Sequence, residues 1–285
     1  GLRGRLAGGA GLCWVDPAVG VMFRGYDSHQ IAEKATVEEV SYVLLNGELP
    51  NAKQLKDFSR QIASERELPG PVTEMLRLLP SDTHPMDMLR TGVSMLAPFD
   101  KELNDHSHDA NIRKSKSLIA QVSSLVTDGW RISRGEELIA DNPILTHAGN
   151  FFYKLTGAVP EAWQIRMLDT IFVLYADHEF NASTFAARVT ASTLTDIYAA
   201  TTSACATLKG PLHGGANEES MKMLDEIKTP DRAEKWMMDA LAKKAKSMGF
   251  GHRVYKKGDS RVPVMREIAR DLGKRLGREE WVPIC

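Results

Sequence analysis

The sequence predicts a mainly α-helical protein with one short β-hairpin near its N-terminus. From Thr36 onward, apolar residues recur at helical spacing, and a Gly or Pro borders each such stretch. Thr36 and Glu39 have the spacing of a capping box at the first of these helices. Strand-like residues on both sides of a turn predict a hairpin over 11–26. The stretch 163–175 is apolar nearly all round, so we expect a central, buried helix there.

The composition is that of an ordinary globular protein and argues against several function classes. The 285 residues carry a net charge of −1, which gives no reason to expect binding to nucleic acid or to an anionic membrane. No stretch approaches the roughly 20 apolar residues of a membrane helix, and the N-terminus has no signal peptide. The three distant cysteines argue against a disulfide framework. These observations predict a cytoplasmic protein.

The length of the chain predicts two domains. We expect a large helical domain over 1–212, which includes the hairpin, and a smaller domain over 213–285. The boundary is placed at a glycine-rich corner after which the sequence becomes more charged. The chain begins with Gly1 and stops at Cys285 without an obvious closing element. We therefore expect a fragment in which the smaller domain is incomplete.

A cluster of polar residues follows the apolar stretch 163–175 directly. His178 stands between two carboxylates, and Asn181 and Ser183 come shortly after it. One interpretation is a functional site at the end of a buried helix. The other is structural: a carboxylate satisfies a buried histidine, while Asn181 and Ser183 cap the next helix. The spacing leaves both interpretations open.

Two further histidines stand in glycine-marked corners. His213 lies between a Gly-Pro helix stop and a Gly-Gly pair, where free backbone N–H groups at a helix start favour a group that handles developing negative charge. His252 follows Gly249 and Gly251, and these glycines permit close approach of a phosphate or carboxylate to the backbone. With Arg261 nearby, these corners predict one site assembled from several segments.

A metal site is not predicted. His178, His213 and His252 are separated by 35 and 39 residues and include no closely spaced ligand pair. We expect the loop histidines His106 and His108 to be solvated. The remaining histidines are His147, which we expect to pack in the core, and His29 and His84, whose roles stay open.

Three segments resemble the signature segments of the citrate synthase family. They are 177–184, 209–218 and 249–255 followed by Arg261, with supporting matches at 23–27 and 84–87. The resemblance implies a citrate synthase-like fold, a mostly helical homodimer whose large and small domains close over the substrates. No permanently bound cofactor is implied, since acyl-CoA is a co-substrate.

The resemblance also implies a role for each matching residue. His213 would hydrogen-bond the thioester carbonyl of acetyl-CoA, and His252 would polarise the keto group of oxaloacetate. His178 and Arg261 would bind oxaloacetate, and an arginine suits its carboxylates because the guanidinium pairs with them bidentately. Residues with supporting roles are Asn181 and Ser183 beside oxaloacetate and Gly249, Phe250, Gly251 and Arg253 on the CoA side.

The implied reaction is condensation of acetyl-CoA with oxaloacetate and water to give citrate and CoA. A 2-methylcitrate synthase, which uses propionyl-CoA, shares these motifs and stays an alternative. In the family, the carboxylate base and further arginines lie downstream of the segment that matches Arg261, in a part that this sequence lacks. A non-catalytic ligand-binding or assembly protein is therefore the alternative from another class, and this chain alone is expected to be inactive or nearly so.

Overall fold

The computed structural model describes residues 8–16, 19–252, 255 and 258–284. Its described part is mainly α-helical, as the apolar spacing predicts. The helices are α1 Ser28–Lys34, α2 Val37–Asn46, α3 Ala52–Ser64, α4 Gly70–Leu78, α5 Pro85–Leu96, α6 His108–Ser133, α7 His147–Thr156, α8 Ala162–Leu174, α9 Ala182–Ala191, α10 Ile197–Leu208, α11 Ala216–Ile227, α12 Pro230–Ala242, α13 Val262–Leu276 and α14 Trp281–Ile284.

A small sheet precedes the helices. Its strands are β1 Cys13–Asp16, β2 Gly20–Phe23 and β3 Tyr26–Asp27, in that order across the sheet. The hairpin predicted over 11–26 corresponds to β1 and β2, although turn residues 17–18 lie outside the described residues. The third strand was not predicted, because two residues are too few to show an alternating pattern.

The chain divides into two compact units. The first comprises Gly1–Trp14 and Met22–Thr207, and the second comprises Val15–Val21 and Leu208–Cys285. The predicted domain boundary between residues 212 and 213 stays a prediction.

The core of the first unit depends on close packing of α5 against α6. Gly92 on α5 faces Leu125 on α6, and a Cβ atom on Gly92 would lie 2.5 Å from Leu125 Cδ2. Leu125 is only 1% exposed, so its side chain has little room to move away. Buried residues of this cluster are Leu68, Val72, Leu76, Met88, Val93, Leu96, Leu118, Leu125, Tyr198 and Cys205.

We expect Gly92→Ala to destabilise the protein relative to Gly129→Ala, a control on the facing helix. A Cβ atom on Gly129 would meet Met88 at 3.6 Å, an ordinary contact. Both changes improve helix propensity, but only Gly92→Ala overpacks the core, at a cost of about 1–3 kcal/mol. Urea unfolding of both variants measures this difference, and equal free energies of unfolding would contradict it.

Helix α8 differs from its prediction. Its buried residues include the polar Asp169 and Thr170, whereas the apolar residues are only partly buried at Ile165, Met167, Leu168, Ile171 and Phe172. The expectation of a central, buried helix therefore holds only in part: Val173 and Leu174 are fully buried, and the apolar residues from Ile165 to Phe172 are half-buried. Asp169 and Thr170 are buried because their side chains form hydrogen bonds with the backbone of α1 and with the start of α2. Asp169 Oδ1 accepts a hydrogen bond from the Val37 backbone N–H at 2.9 Å, and Arg166 Nη1 donates to the Ala35 carbonyl at 2.9 Å.

We expect Asp169→Asn to stabilise the protein more at neutral pH than in acid. Burial raises the pKa of Asp169 from its ordinary 3.8 to about 6. Its contribution to stability is therefore fully present below pH 3.8 and is lost as the pH rises through about 6. The amide oxygen of the introduced asparagine still accepts the Val37 N–H. Because the amide does not ionise, the variant avoids the cost of a buried negative charge, which is up to about 3 kcal/mol.

The measurement is denaturant unfolding at about pH 4.5 and about pH 7.5 for wild type and Asp169→Asn. Exposed Asp57 on α3 provides the matched control, Asp57→Asn, which should show no such gain at the higher pH. An effect of Asp169→Asn on the free energy of unfolding that is the same at both pH values would contradict a raised pKa of Asp169.

Candidate active site

Asn181 and Ser183 form the cap of α9. Asn181 precedes the helix, and its Oδ1 accepts hydrogen bonds from the Thr184 backbone N–H at 2.9 Å and from Ser183 Oγ at 2.7 Å. The capping interpretation is thereby confirmed for Asn181, and Ser183 contributes by donating to the capping oxygen. Their predicted role beside a substrate stays a prediction.

His178 lies in the turn that joins α8 to this cap. The Asp177 carboxylate accepts the His178 backbone N–H at 2.7 Å. Burial raises the pKa of Asp177. Glu179 adopts a left-handed backbone with φ of 53°, which non-glycine residues seldom adopt. His178 itself is partly buried.

A cavity of about 250 Å³ adjoins this turn within the first unit. The guanidinium of Arg188 stacks over the Phe180 ring at 4.4 Å from its centroid. The residues that line the cavity come from the N-terminal segment, from α2 and from the segment 176–188. They are Ala10, Leu12, Leu44, Ala176, Asp177, Glu179, Phe180, Thr184 and Arg188. The cavity therefore borders the two carboxylates that flank His178.

His213 lies in a tight turn between α10 and α11 in the second unit. Its backbone N–H donates to the Gly210 carbonyl at 2.9 Å, and its carbonyl accepts the Ala216 N–H at 3.1 Å. A Cβ atom on Gly215 would lie 2.5 Å from the Lys209 carbonyl oxygen. The Gly-Gly pair is thus required by close backbone approach. A positive φ is not the reason, since Gly215 has φ of −61°.

The environment of His213 favours a neutral imidazole. The residue is partly buried, and desolvation lowers its pKa below the ordinary value of 6.5. A neutral ring donates one N–H and accepts at the other nitrogen. At neutral pH, His213 is therefore a hydrogen-bond donor without positive charge.

The glycine loop before His252 packs on α11. Gly249 and Gly251 have φ of 89° and 79°, so both occupy the left-handed region that favours glycine. A Cβ atom on Gly249 would lie 3.0 Å from Ser220 Oγ. Phe250 between the two glycines is 60% exposed. This loop therefore presents its backbone and one aromatic ring at the surface of the second unit.

A backbone hydrogen bond fixes the tautomer of His252. Its Nδ1 accepts the Tyr255 backbone N–H at 3.3 Å, and the rings of these residues lie 5.0 Å apart at 34°. Because a backbone N–H can only donate, Nδ1 carries no proton and the neutral ring is protonated at Nε2. Arg253, predicted beside it, lies outside the described residues.

Arg261 is held by a carboxylate two residues before it. Its Nε donates to Asp259 Oδ1 at 3.0 Å and its Nη2 to Oδ2 at 2.6 Å. The Arg261 backbone N–H also donates to Oδ1, at 2.9 Å. These bonds fix the plane of the guanidinium. The sequence analysis missed Asp259, although a carboxylate two residues before an arginine in a polar turn is a usable signal.

The chain is similar to proteins of known name over its whole length. The profile of the family described as citrate synthase, C-terminal domain, matches residues 1–285. The citrate synthase of Deinococcus radiodurans is 41% identical over 285 residues, which cover 100% of this chain and 76% of that relative. The chain belongs to the citrate synthase family. The citrate/2-methylcitrate synthase of Bacillus subtilis is 40% identical over 287 residues, covering 100% of this chain and 77% of the relative.

A solved citrate synthase structure has the same fold. It is a ternary complex of the Thermoplasma acidophilum enzyme with carboxymethyl coenzyme A and oxaloacetate. The TM-score is 0.93 at 30% identity, over 98% of this chain and 74% of that chain. The citrate synthase-like helical fold expected from the signature segments is confirmed.

The predicted citrate synthase residues fall into two groups. His178, Asn181 and Ser183 belong to one segment of the first unit, whereas the second unit holds His213, His252 and Arg261. Within the described ranges, no group of three His, Cys, Asp or Glu residues could hold a metal ion. Of the helices in the described part of the chain, none has the length and hydrophobicity needed to cross a membrane.

A second cavity of the first unit, larger than the one beside His178, contains none of the predicted residues. It measures about 540 Å³ and lies in the first unit. Its charged side chains pair with each other or with neighbours: Tyr198 OH donates to Asp100 at 2.9 Å, and Arg113 Nε donates to Glu102 at 2.8 Å. This larger cavity therefore lies apart from the family's signature segments.

Proposed function

We propose that this chain catalyses condensation of acetyl-CoA with oxaloacetate and water to give citrate and CoA, an acyl transfer in which the acyl group becomes an alkyl group. The observation that carries the proposal is the neutral His213 imidazole in its glycine-bounded turn. The names of the relatives support the same reaction. So does the ternary complex of the solved neighbour, which holds a CoA analogue and oxaloacetate.

His213 acts on the thioester. When the acyl methyl group loses a proton, negative charge develops on the thioester oxygen. A neutral imidazole N–H donates a hydrogen bond to that oxygen and stabilises the charge as it forms. Burial keeps the ring neutral by lowering its pKa. We assign the removal of the methyl proton to no residue of this chain.

His252 acts on the keto group. The Tyr255 N–H occupies Nδ1, so Nε2–H is the group that donates to the keto oxygen. As the new C–C bond forms, that oxygen gains negative charge, and the hydrogen bond from Nε2–H stabilises the charge. Water then hydrolyses the thioester intermediate and releases CoA.

The remaining assignments concern binding. His178 and Arg261 bind oxaloacetate, and Arg261 suits a carboxylate because Asp259 fixes the plane of its guanidinium. Asn181 and Ser183 support His178 through the cap of α9. The loop that lines the CoA side contains Gly249, Phe250, Gly251 and Arg253.

A second substrate is favoured by the relatives' names. The Bacillus subtilis relative is a citrate/2-methylcitrate synthase, and a Shewanella oneidensis relative is a 2-methylcitrate synthase. The two acyl groups differ by one methylene, which a hydrophobic pocket discriminates by only about 1–3 kcal/mol. We therefore propose propionyl-CoA as the alternative co-substrate, with 2-methylcitrate as its product.

We further propose a homodimer in the cytoplasm, acting in the tricarboxylic acid cycle, with no permanent cofactor and no nucleic-acid or membrane partner. The family resemblance supports the homodimer, and the nearly balanced charge supports the absence of a nucleic-acid partner.

CoA release, followed with a thiol reagent, tests the reaction. The assay supplies oxaloacetate with either acetyl-CoA or propionyl-CoA, to this chain and to a version extended at its C-terminus. Turnover of either protein supports the proposal, and the preferred acyl-CoA identifies the product. If neither protein releases CoA although both bind oxaloacetate, a non-catalytic ligand-binding protein is favoured. The roles of His213 and His252 would then be withdrawn.

A further inference from the structure

A single carboxylate fixes the turn that carries His178. The turn runs from the end of α8 at Leu174 to the cap residue Asn181. Within it, the Asp177 carboxylate accepts the backbone N–H of His178 at 2.7 Å. This bond fixes the peptide group that precedes the His178 Cα.

The same turn contains a strained residue. Glu179 has φ of 53°, in the left-handed region where the Cβ atom of an L-residue crowds the backbone. Such a conformation persists only where the surrounding structure compensates its cost. Glu179 follows His178 directly, so the hydrogen bond that Asp177 accepts from the His178 N–H constrains the backbone next to the strained residue.

We propose that Asp177 is a positioning residue that compensates the left-handed backbone of Glu179 and thereby holds His178 in the conformation that binds oxaloacetate. This inference rests on the proposed function, because it concerns the residue assigned to that substrate. Without the carboxylate, Glu179 relaxes and the competent turn becomes a minority conformation. The apparent dissociation constant then rises by the reciprocal of the competent fraction.

This role has a kinetic signature. At saturating oxaloacetate, binding shifts the turn of the Asp177→Ala variant to the competent conformation. The KM of this variant for oxaloacetate therefore rises, while its kcat stays close to wild type. A residue that only stabilises the fold would lower the midpoint of unfolding without this selective change in KM. Asp196 provides the matched control, because its Oδ1 accepts the Ala199 N–H at 2.8 Å at the start of another helix of the first unit.

The experiment compares Asp177→Ala, Asp177→Asn, Asp177→Ala/Glu179→Gly and Asp196→Ala by calorimetric titration with oxaloacetate. We expect Asp177→Ala to weaken binding by about tenfold or more. Asp177→Asn should stay within about threefold of wild type, since its amide oxygen accepts the same His178 N–H. Glu179→Gly should restore most of the affinity lost in Asp177→Ala, because glycine adopts positive φ without strain. Asp196→Ala should bind like wild type.

Amide hydrogen exchange of the peptide that spans 175–181 separates the inference from the proposed function. Exchange should accelerate in Asp177→Ala and slow again in the double variant. If wild type binds no oxaloacetate, the proposed function is wrong. The exchange rates still show in that case whether Asp177 stabilises the conformation of the turn. The inference is overturned if Asp177→Ala binds within about twofold of wild type, or if Glu179→Gly restores neither affinity nor protection.

Discussion

Replacing His213 with alanine is expected to lower kcat for CoA release by about 10²–10³-fold, the usual effect of removing one hydrogen-bond donor to a developing oxyanion. The imidazole is only partly buried, so its removal leaves a small cavity and the fold should persist. Kinetics at saturating oxaloacetate measure the loss, in whichever version of the protein turns over.

The pH dependence of wild type provides an independent check. The pKa of His213 lies below 6.5, so the neutral imidazole predominates above that pH. Activity that depends on the neutral form is constant above 6.5 and falls as the pH drops through the lowered pKa. His106→Ala is the control, because this histidine is exposed in a loop. A His213→Ala variant within about threefold of wild type would rule out the assigned donor role.

Replacing Lys154 with alanine is expected to destabilise the protein by about 3–5 kcal/mol. Lys154 on α7 is 4% exposed, and its Nζ lies 3.0 Å from Asp128 Oδ1 on α6 and 3.4 Å from Asp141 Oδ2. Without the ammonium group, the buried Asp128 carboxylate and the partly buried Asp141 carboxylate both lose the cation that bonds them. Urea unfolding at neutral pH measures the loss.

The loss of unfolding free energy caused by Lys154→Ala should be smaller at acidic pH than at neutral pH. Burial raises the pKa of Asp128 from 3.8, and Lys154 opposes that rise, so its removal moves the pKa higher still. A carboxyl group with a raised pKa stabilises the fold when protonated, and this contribution is lost as the pH rises through that pKa. The control is Arg113→Ala, which breaks a bidentate pair with Glu102 that solvent screens. An equal effect of the two substitutions would contradict the burial argument.

Much of the local structure could be predicted from the sequence. The capping box of Thr36 and Glu39 is present at α2, with the Thr36 N–H donating to Glu39 Oε2 at 2.7 Å. His147 packs in the core as expected, and burial lowers its pKa to about 4. The signature segments identified the family correctly. These features depend on residues within a few positions of one another, or on residue types that the chain displays directly.

Other features could not be predicted in this way. The apolar pattern of α8 predicted a buried helix, but the residues buried there also include the polar Asp169, because its carboxylate bonds Val37, which lies 132 residues away in the chain. Nothing around Gly92 or Gly129 in the sequence distinguishes the tightly packed glycine from the tolerant one. The partners of Lys154 are likewise set by how α6 and α7 meet.

The sequence by itself thus determined the helical class, the caps and the candidate side chains of the site, since periodicity and capping are short-range properties of the chain. Only the tertiary structure decided which polar groups are buried, which glycines permit close packing and which carboxylate holds Arg261. Those outcomes depend on which surfaces meet across long sequence separations, and burial in turn sets the charge state of groups such as Asp169 and His213.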